Sequence, residues 1–158
     1  MRIYLAADHA GFQLKEEVKG WLKGLGYAVS DEGAFELDAD DDYPDFIHLV
    51  GRQVASDPES RGIIFGGSGQ GEAMVANRYR GVRAAVYNGG GEKIITLSRV
   101  HNNANVLSIG ARFISTEEAL RMIKLWLETT FGGDERHVRR IAKIDQLPRE
   151  ADTHDFDH

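Results

Sequence analysis

The sequence predicts an α/β fold: a doubly wound sheet of five parallel strands, helices on both faces, and an extra C-terminal helix. Three observations carry this. Five short apolar runs alternate with segments whose apolar residues recur at helical spacing. One run, Gly62-Ile63-Ile64-Phe65, leads directly into Gly66-Gly67-Ser68-Gly69-Gln70-Gly71-Glu72 and then into the helical pattern Ala73–Arg78. Strand, glycine loop and helix N-terminus together are how α/β proteins build anion sites. No repeat or linker divides the 158 residues, so 1–147 reads as one domain and 148–158 as a polar tail.

The elements follow in order. Arg2–Ala7 is a strand ending at the polar pair Asp8-His9. Leu14, Val18, Leu22 and Leu25 mark a helix, with Gly26 at its C-terminal cap. Tyr27-Ala28-Val29 is a short second strand. Asp38–Asp42 holds four carboxylates in five residues and reads as a solvated turn without a metal-ligand pattern. Pro44 suits the first turn of a helix with Ile47, Val50 and Val54 on its apolar face. Val82–Tyr87 is the fourth strand, broken by Asn88-Gly89-Gly90-Gly91, and a helix over about 92–100 leads to His101-Asn102-Asn103. Val106–Ile109 is the fifth strand. Ser115-Thr116-Glu117-Glu118 is a capping box for a helix with Ala119, Leu120, Ile123 and Leu127 inward. Gly132-Gly133 ends it, and a last helix from about Asp134 carries Arg136, His137, Arg139 and Arg140. His48 is expected on a helix surface, and His154 and His158 in the tail.

Composition excludes several classes of function. The chain is 42% hydrophobic and 28% charged, ordinary for a globular protein, and no apolar run approaches the roughly 20 residues of a membrane helix. Cysteine is absent, which removes disulfides, thiolate metal sites and cysteine nucleophiles. With no signal-peptide pattern after Met1, a cytoplasmic enzyme is expected. A net charge of −6 argues against nucleic acid as a partner; an anionic small molecule would need locally clustered arginines.

The glycine loop lacks a Gly-Lys-Ser/Thr ending and spaces its glycines G-x-G-x-G, so it is neither a P-loop nor a dinucleotide fingerprint. Its cargo is a hydroxyl, Ser68, and a carboxylate, Glu72. Alone, the loop is as well read as a tight turn, and Glu72 as a first-turn carboxylate complementing the helix dipole. Ligands of such folds bind beyond the carboxyl ends of the strands. Asp8-His9, the Ser68 loop and Arg112 all follow strands, so they share one rim.

Six motifs in order carry a resemblance. Ala7-Asp8-His9-Ala10-Gly11-Phe12, Asp42-Tyr43-Pro44, Gly67–Gly71, Ala76-Asn77, Ser98–Asn105, and Gly110-Ala111-Arg112 with Arg136–Arg140 together resemble the ribose-5-phosphate isomerase B family, which includes the galactose-6-phosphate isomerase subunits. The resemblance implies a Rossmann-like, metal-free and cofactor-free aldose–ketose isomerase working through a cis-enediolate. Many members place a cysteine base just before the glycine loop; here that position is Gly66. The chain resembles instead the branch, including mycobacterial-type enzymes, with a glutamate just after the loop. Glu72 fills that role.

By resemblance, Glu72 moves the proton between carbons 2 and 1, while Ser68 and amides around Gly67, Gly69 and Gly71 bind the enediolate oxygens. A helix N-terminus would lower the Glu72 pKa and burial would raise it. His101, assisted by Asp8, opens the sugar ring. His9 contacts the substrate or its phosphate, Tyr43 and Asn102 bind hydroxyls, and Arg112, Arg136, His137 and Arg140 form a phosphate set. Arg136 and Arg140 lie on one helix face, two guanidinium forks suited to a dianion. The family implies a homodimer with composite sites, sometimes a tetramer. The glycines at 89–91 depart from the bulkier residues of relatives. They keep open a tetrose or hexose phosphate, of allose 6-phosphate or galactose 6-phosphate type, as substrate. A non-catalytic sugar-phosphate-binding subunit is the competing reading.

Overall fold

The structure is a computed structural model and describes residues 1–148; His154, His158 and nearly all of the expected tail lie outside the described residues. Five strands form one all-parallel sheet: β1 (Arg2–Ala7), β2 (Ala28–Asp31), β3 (Arg61–Gly66), β4 (Ala84–Tyr87) and β5 (Val106–Gly110). Six helices accompany them: α1 (Phe12–Gly24), α2 (Pro44–Ser56), α3 (Gln70–Ala76), α4 (Glu92–Val100), α5 (Thr116–Glu128) and α6 (Glu135–Asp145). No helix among the described residues is long and apolar enough to cross a membrane.

The strand order is β2-β1-β3-β5-β4. The chain passes β3 to β4 by skipping a place, and β5 later fills it. Alternation along the strands separates two cores. Ile3, Leu5, Ile63, Phe65, Leu107 and Ile109 face α1, α4 and α5, with Leu14, Val18, Ile95, Ile123 and the buried Trp126. Ala6, Ile64 and Val106 face α2 and α3, with Ile47, Val50, Val54 and Ala76. Connections that run toward β2 use the first face and those toward β4 use the second. All four crossovers therefore share one hand, as expected for parallel sheets.

Several local details sharpen the sequence reading. Gly26, at φ 90°, is the residue beyond the cap: its N–H bonds the Lys23 carbonyl and Tyr27 N–H the Leu22 carbonyl. That pairing is the Schellman arrangement, and it turns Leu25 out of the core to 53% exposure. Ser115 Oγ accepts from Glu118 N–H, which is half of the expected capping box; the Glu118 carboxylate accepts instead from the Tyr87 hydroxyl at 2.6 Å, and the inner face of α5 is Ala119, Met122, Ile123 and Trp126, with Leu120 and Leu127 at its margins. β4 starts at Ala84 rather than Val82. The Asn105 side chain accepts from Arg83 N–H in place of a strand partner, and Asn77 pairs with both the N–H and carbonyl of Ala84, capping the outer edge of β4 where it begins. His48 is half-buried, its Nδ1 3.1 Å from the Tyr79 hydroxyl. Lys15 is fully buried between Leu14 and Val18, its ammonium donating to both Asp31 oxygens and the Ala34 carbonyl at 2.8 Å, which ties α1 to the end of β2.

Candidate active site

The order of strands reverses between β1 and β3, and their carboxyl ends carry the first group of candidate side chains. A Cβ at Gly11 would lie 2.6 Å from the Phe65 carbonyl, so the turn after β1 packs directly on the end of β3. Asp8, 6% exposed, is held there by Ala10 and Gly11 N–H groups, both donating to its Oδ1.

The glycine loop begins at Gly66, whose place in the ladder opposite Gly110 is the last pairing of β3 with β5. Gly69 adopts φ 81°, a turn that points its carbonyl at the buried Ser108 hydroxyl, and Ser108 Oγ donates to it. The Asn88 side chain donates to the Ser68 carbonyl at 3.1 Å. Ser68 Oγ accepts from Gln70 N–H at 3.3 Å, which leaves the hydroxyl proton to donate outward. Ser108 and Asn88 were given no role at the site from sequence, because Ser108 reads there as a residue within the fifth strand and Asn88 as the start of a strand-breaking turn.

Glu72 lies in the first turn of α3 and is only 4% exposed. Its carboxylate packs onto the Cα of Gly66, in the volume a side chain there would need. Burial pushes its pKa up, the nearby Asp8 charge adds to this, and its own backbone N–H opposes it. Of the two opposed effects the sequence left open, burial prevails. The result is a buried carboxylate more basic than usual, the property a general base requires.

Tyr43 and Arg112 close over the loop. A Cβ at Gly71 would sit 2.8 Å from the Tyr43 ring, and one at Gly67 3.1 Å from Arg112 Nη1. His9 stands beside Asp8, its Nδ1 2.7 Å from Asp41 Oδ1. Here the expectation of a wholly solvated acidic turn fails: the Asp41 side chain is 6% exposed and turned inward.

The second group lies elsewhere. α4 starts beyond the carboxyl end of β4 and runs back, so His101 at its C-cap and Asn102 precede the amino end of β5. His101 stacks on His137 of α6, ring centroids 4.4 Å apart and planes 24° from parallel. Burial, then His101 and Arg136, hold His137 below the ordinary histidine pKa. α6 is anchored at the same rim, where Asp145 accepts from Gly81 N–H ahead of β4. Arg136 and Arg140 project from α6 and are exposed; Asp134 caps the helix by accepting from Arg136 N–H.

One chain therefore brings Asp8, His9, Tyr43, Gly67, Ser68, Gly69, Gly71, Glu72 and Arg112 to one rim. It places His101, Asn102, Arg136, His137 and Arg140 at the other, a strand length or about 17–20 Å away. Arg112 is parted from the rest of the expected phosphate set. The His101 turn is itself rigidly built. Arg99, 4% exposed, donates to the Thr129 and Ala104 carbonyls and to Asn103 Oδ1, and stacks over Trp126 at 5.8 Å. No carboxylate is among these partners, and burial pushes the guanidinium pKa down to about 10.

Comparison with known proteins places this arrangement. The family model for ribose/galactose isomerases matches residues 3–144. Ribose-5-phosphate isomerase B of Mycolicibacterium paratuberculosis is 42% identical over 149 residues, covering 94% of this chain and 92% of that protein. The solved structure of ribose-5-phosphate isomerase B from Mycoplasma genitalium, with bound ribulose 5-phosphate, superposes with a TM-score of 0.87 at 40% identity, covering 92% of this chain and 94% of that one. The enzyme from Thermotoga maritima gives 0.86 at 42% identity, with 92% and 98% covered.

Proposed function

The chain belongs to the ribose/galactose isomerase family, and from that premise we propose that it interconverts ribose 5-phosphate and ribulose 5-phosphate with Glu72 as the base. The observation that carries the base assignment is the buried Glu72 carboxylate, raised in pKa and packed on Gly66 beside the Ser68 loop.

In this reading residues 1–147 act as one cytoplasmic isomerase domain. His101 of one chain, with Asp8 of another, moves the protons that open the sugar ring. Glu72 then takes the carbon 2 proton and returns it to carbon 1. Negative charge on the enediolate oxygens is met by the Ser68 hydroxyl and the amides of Gly67, Gly69 and Gly71, fixed in place before the reaction. Tyr43 and Asn102 bind sugar hydroxyls; His9, Arg112, Arg136, His137 and Arg140 hold the phosphate.

The separation of the two groups supports a homodimer in which the His101–α6 end of one chain meets the Glu72 end of the other. A two-fold axis would then generate two identical composite sites. Apolar side chains suited to such contact are exposed: Met74 on α3 at 67% and Val138 on α6 at 48%.

The test is isomerisation of ribose 5-phosphate by purified protein in excess EDTA, followed as ribulose 5-phosphate appears. Turnover supports the pentose assignment and a reaction without a metal. If the folded dimer is inert, tetrose and hexose phosphates are next. Nothing lies within 4 Å of a Cβ added at Gly89 or Gly91, so that rim offers room for a longer sugar.

A further inference from the structure

The acidic turn contains a side chain that does not behave like its neighbours. Asp38, Asp40 and Asp42 are exposed, whereas Asp41 points into the protein. Its Oδ1 accepts twice from the same residue, at 3.1 Å from the His9 backbone N–H and at 2.7 Å from His9 Nδ1. Its Oδ2 is buried and, among the described residues, has no hydrogen-bond partner. A buried carboxylate oxygen without a partner is costly, so something must offset it. The offset within reach is positive charge on His9.

We propose that Asp41 is a positioning residue of the active site, which fixes the His9 ring through Nδ1–H and presents Nε2–H as a cationic donor to the anionic substrate. The turn is built to hold it: Asp41 N–H bonds the Asp38 carbonyl, and Asp38 Oδ1 accepts from Asp40 N–H. With Nδ1 engaged, Nε2 is the ring nitrogen left for a ligand.

The charges that face His9 come from three elements. Asp41 in the turn raises its pKa most, and Asp8 at the end of β1 raises it further. Burial and Arg112 beyond β5 oppose them, and the net direction is upward. His9 thus stays protonated above the pH at which an ordinary histidine loses its charge. Arg112, beside it, carries a guanidinium fork, so the pair offers two donors to one anion. The inference rests on the proposed function for the identity of the anion but not for the Asp41–His9 link.

The experiment joins two readouts, the His9 titration followed by NMR and the KM for ribose 5-phosphate at about pH 5.5 and at a higher pH set between the His9 midpoints of wild type and variant. Asp41→Asn keeps the shape and removes the charge. The His9 pKa should fall. KM should rise about tenfold at the higher pH, as a charge-assisted hydrogen bond becomes neutral, and stay near wild type at the lower. kcat should change little. Asp41→Glu, which keeps the charge, should retain the raised titration, and it decides the matter if the asparagine variant fails to fold. An unchanged His9 pKa overturns the proposal, as does a KM effect equal at both pH values, which marks a merely structural role. Wild-type protein inert toward ribose 5-phosphate would instead refute the proposed function, and the titration would still decide the link.

Discussion

The Glu72 carboxylate fills the space that a side chain at Gly66 would occupy, so these two positions can carry only one functional group between them. Strand β3 ends in glycine because a residue six places on folds back over it. A carboxylate placed this way is dry and fixed against backbone.

Gly66→Ala should therefore act through Glu72. The added Cβ displaces the carboxylate, and kcat should fall by roughly a hundredfold, within the range that general-base catalysis contributes. In a Glu72→Ala background the same substitution should cost almost nothing further. A double-mutant cycle on kcat measures this; additive losses would separate the two positions.

Because burial and Asp8 hold the Glu72 pKa above the ordinary carboxylate value, the acid limb of kcat/KM should lie above that value. Asp8→Asn removes a negative neighbour and should move the limb to lower pH. The stability sign is the reverse of a salt-bridged carboxylate. With the folded pKa raised, the contribution to stability is full below the unfolded pKa and is lost as pH rises through the folded one. Glu72→Gln should accordingly melt higher than wild type at neutral pH. A lower melting temperature would mean that the ionised carboxylate is stabilised by partners.

Much of this was legible in sequence and some was not. The strands, the helices, the Ser115 cap of α5 and the glycine loop follow from periodicity and turn chemistry, which are local. Strand order was not legible: apolar runs report burial, not which strand lies alongside, so the placement of β5 between β3 and β4 had no signal. The placement of His101 away from Glu72 follows from counting rims, since residues before a strand and after a strand fall on opposite edges. Asp41 was misread because four carboxylates in five residues look solvated, and only the fold turns one inward. Arg99 and Ser108 escaped because their partners are carbonyls, which every residue has.

Two inactive variants should restore each other. Glu72→Gln and His101→Asn, mixed and reassembled, give heterodimers in which one composite site keeps both native residues and the other keeps neither. About a quarter of wild-type activity should return at equal proportions, as a two-fold dimer requires. No recovery, with subunit exchange verified, would place the whole site within one chain.

Arg99→Met should cost about 3 kcal/mol, since three acceptors, the Ala104 carbonyl fully buried and the other two partly so, lose a charged donor, and lower Tm by roughly 6–12 °C. The His101–Asn102 turn loosens with it, so kcat should fall further than the Glu72 geometry alone would explain. Calorimetry and initial rates measure both; a change within about 0.5 kcal/mol would show that water replaces the guanidinium.

The central claim is that Glu72 takes the proton from carbon 2. The direct measurement is deuterium exchange at carbons 1 and 2 of ribose 5-phosphate in heavy water, at saturating substrate, for wild type and Glu72→Gln. The claim predicts a loss of roughly a thousandfold or more in the variant, with affinity for the sugar phosphate within a few fold of wild type. Exchange within tenfold of wild type would contradict it and assign the proton to another group.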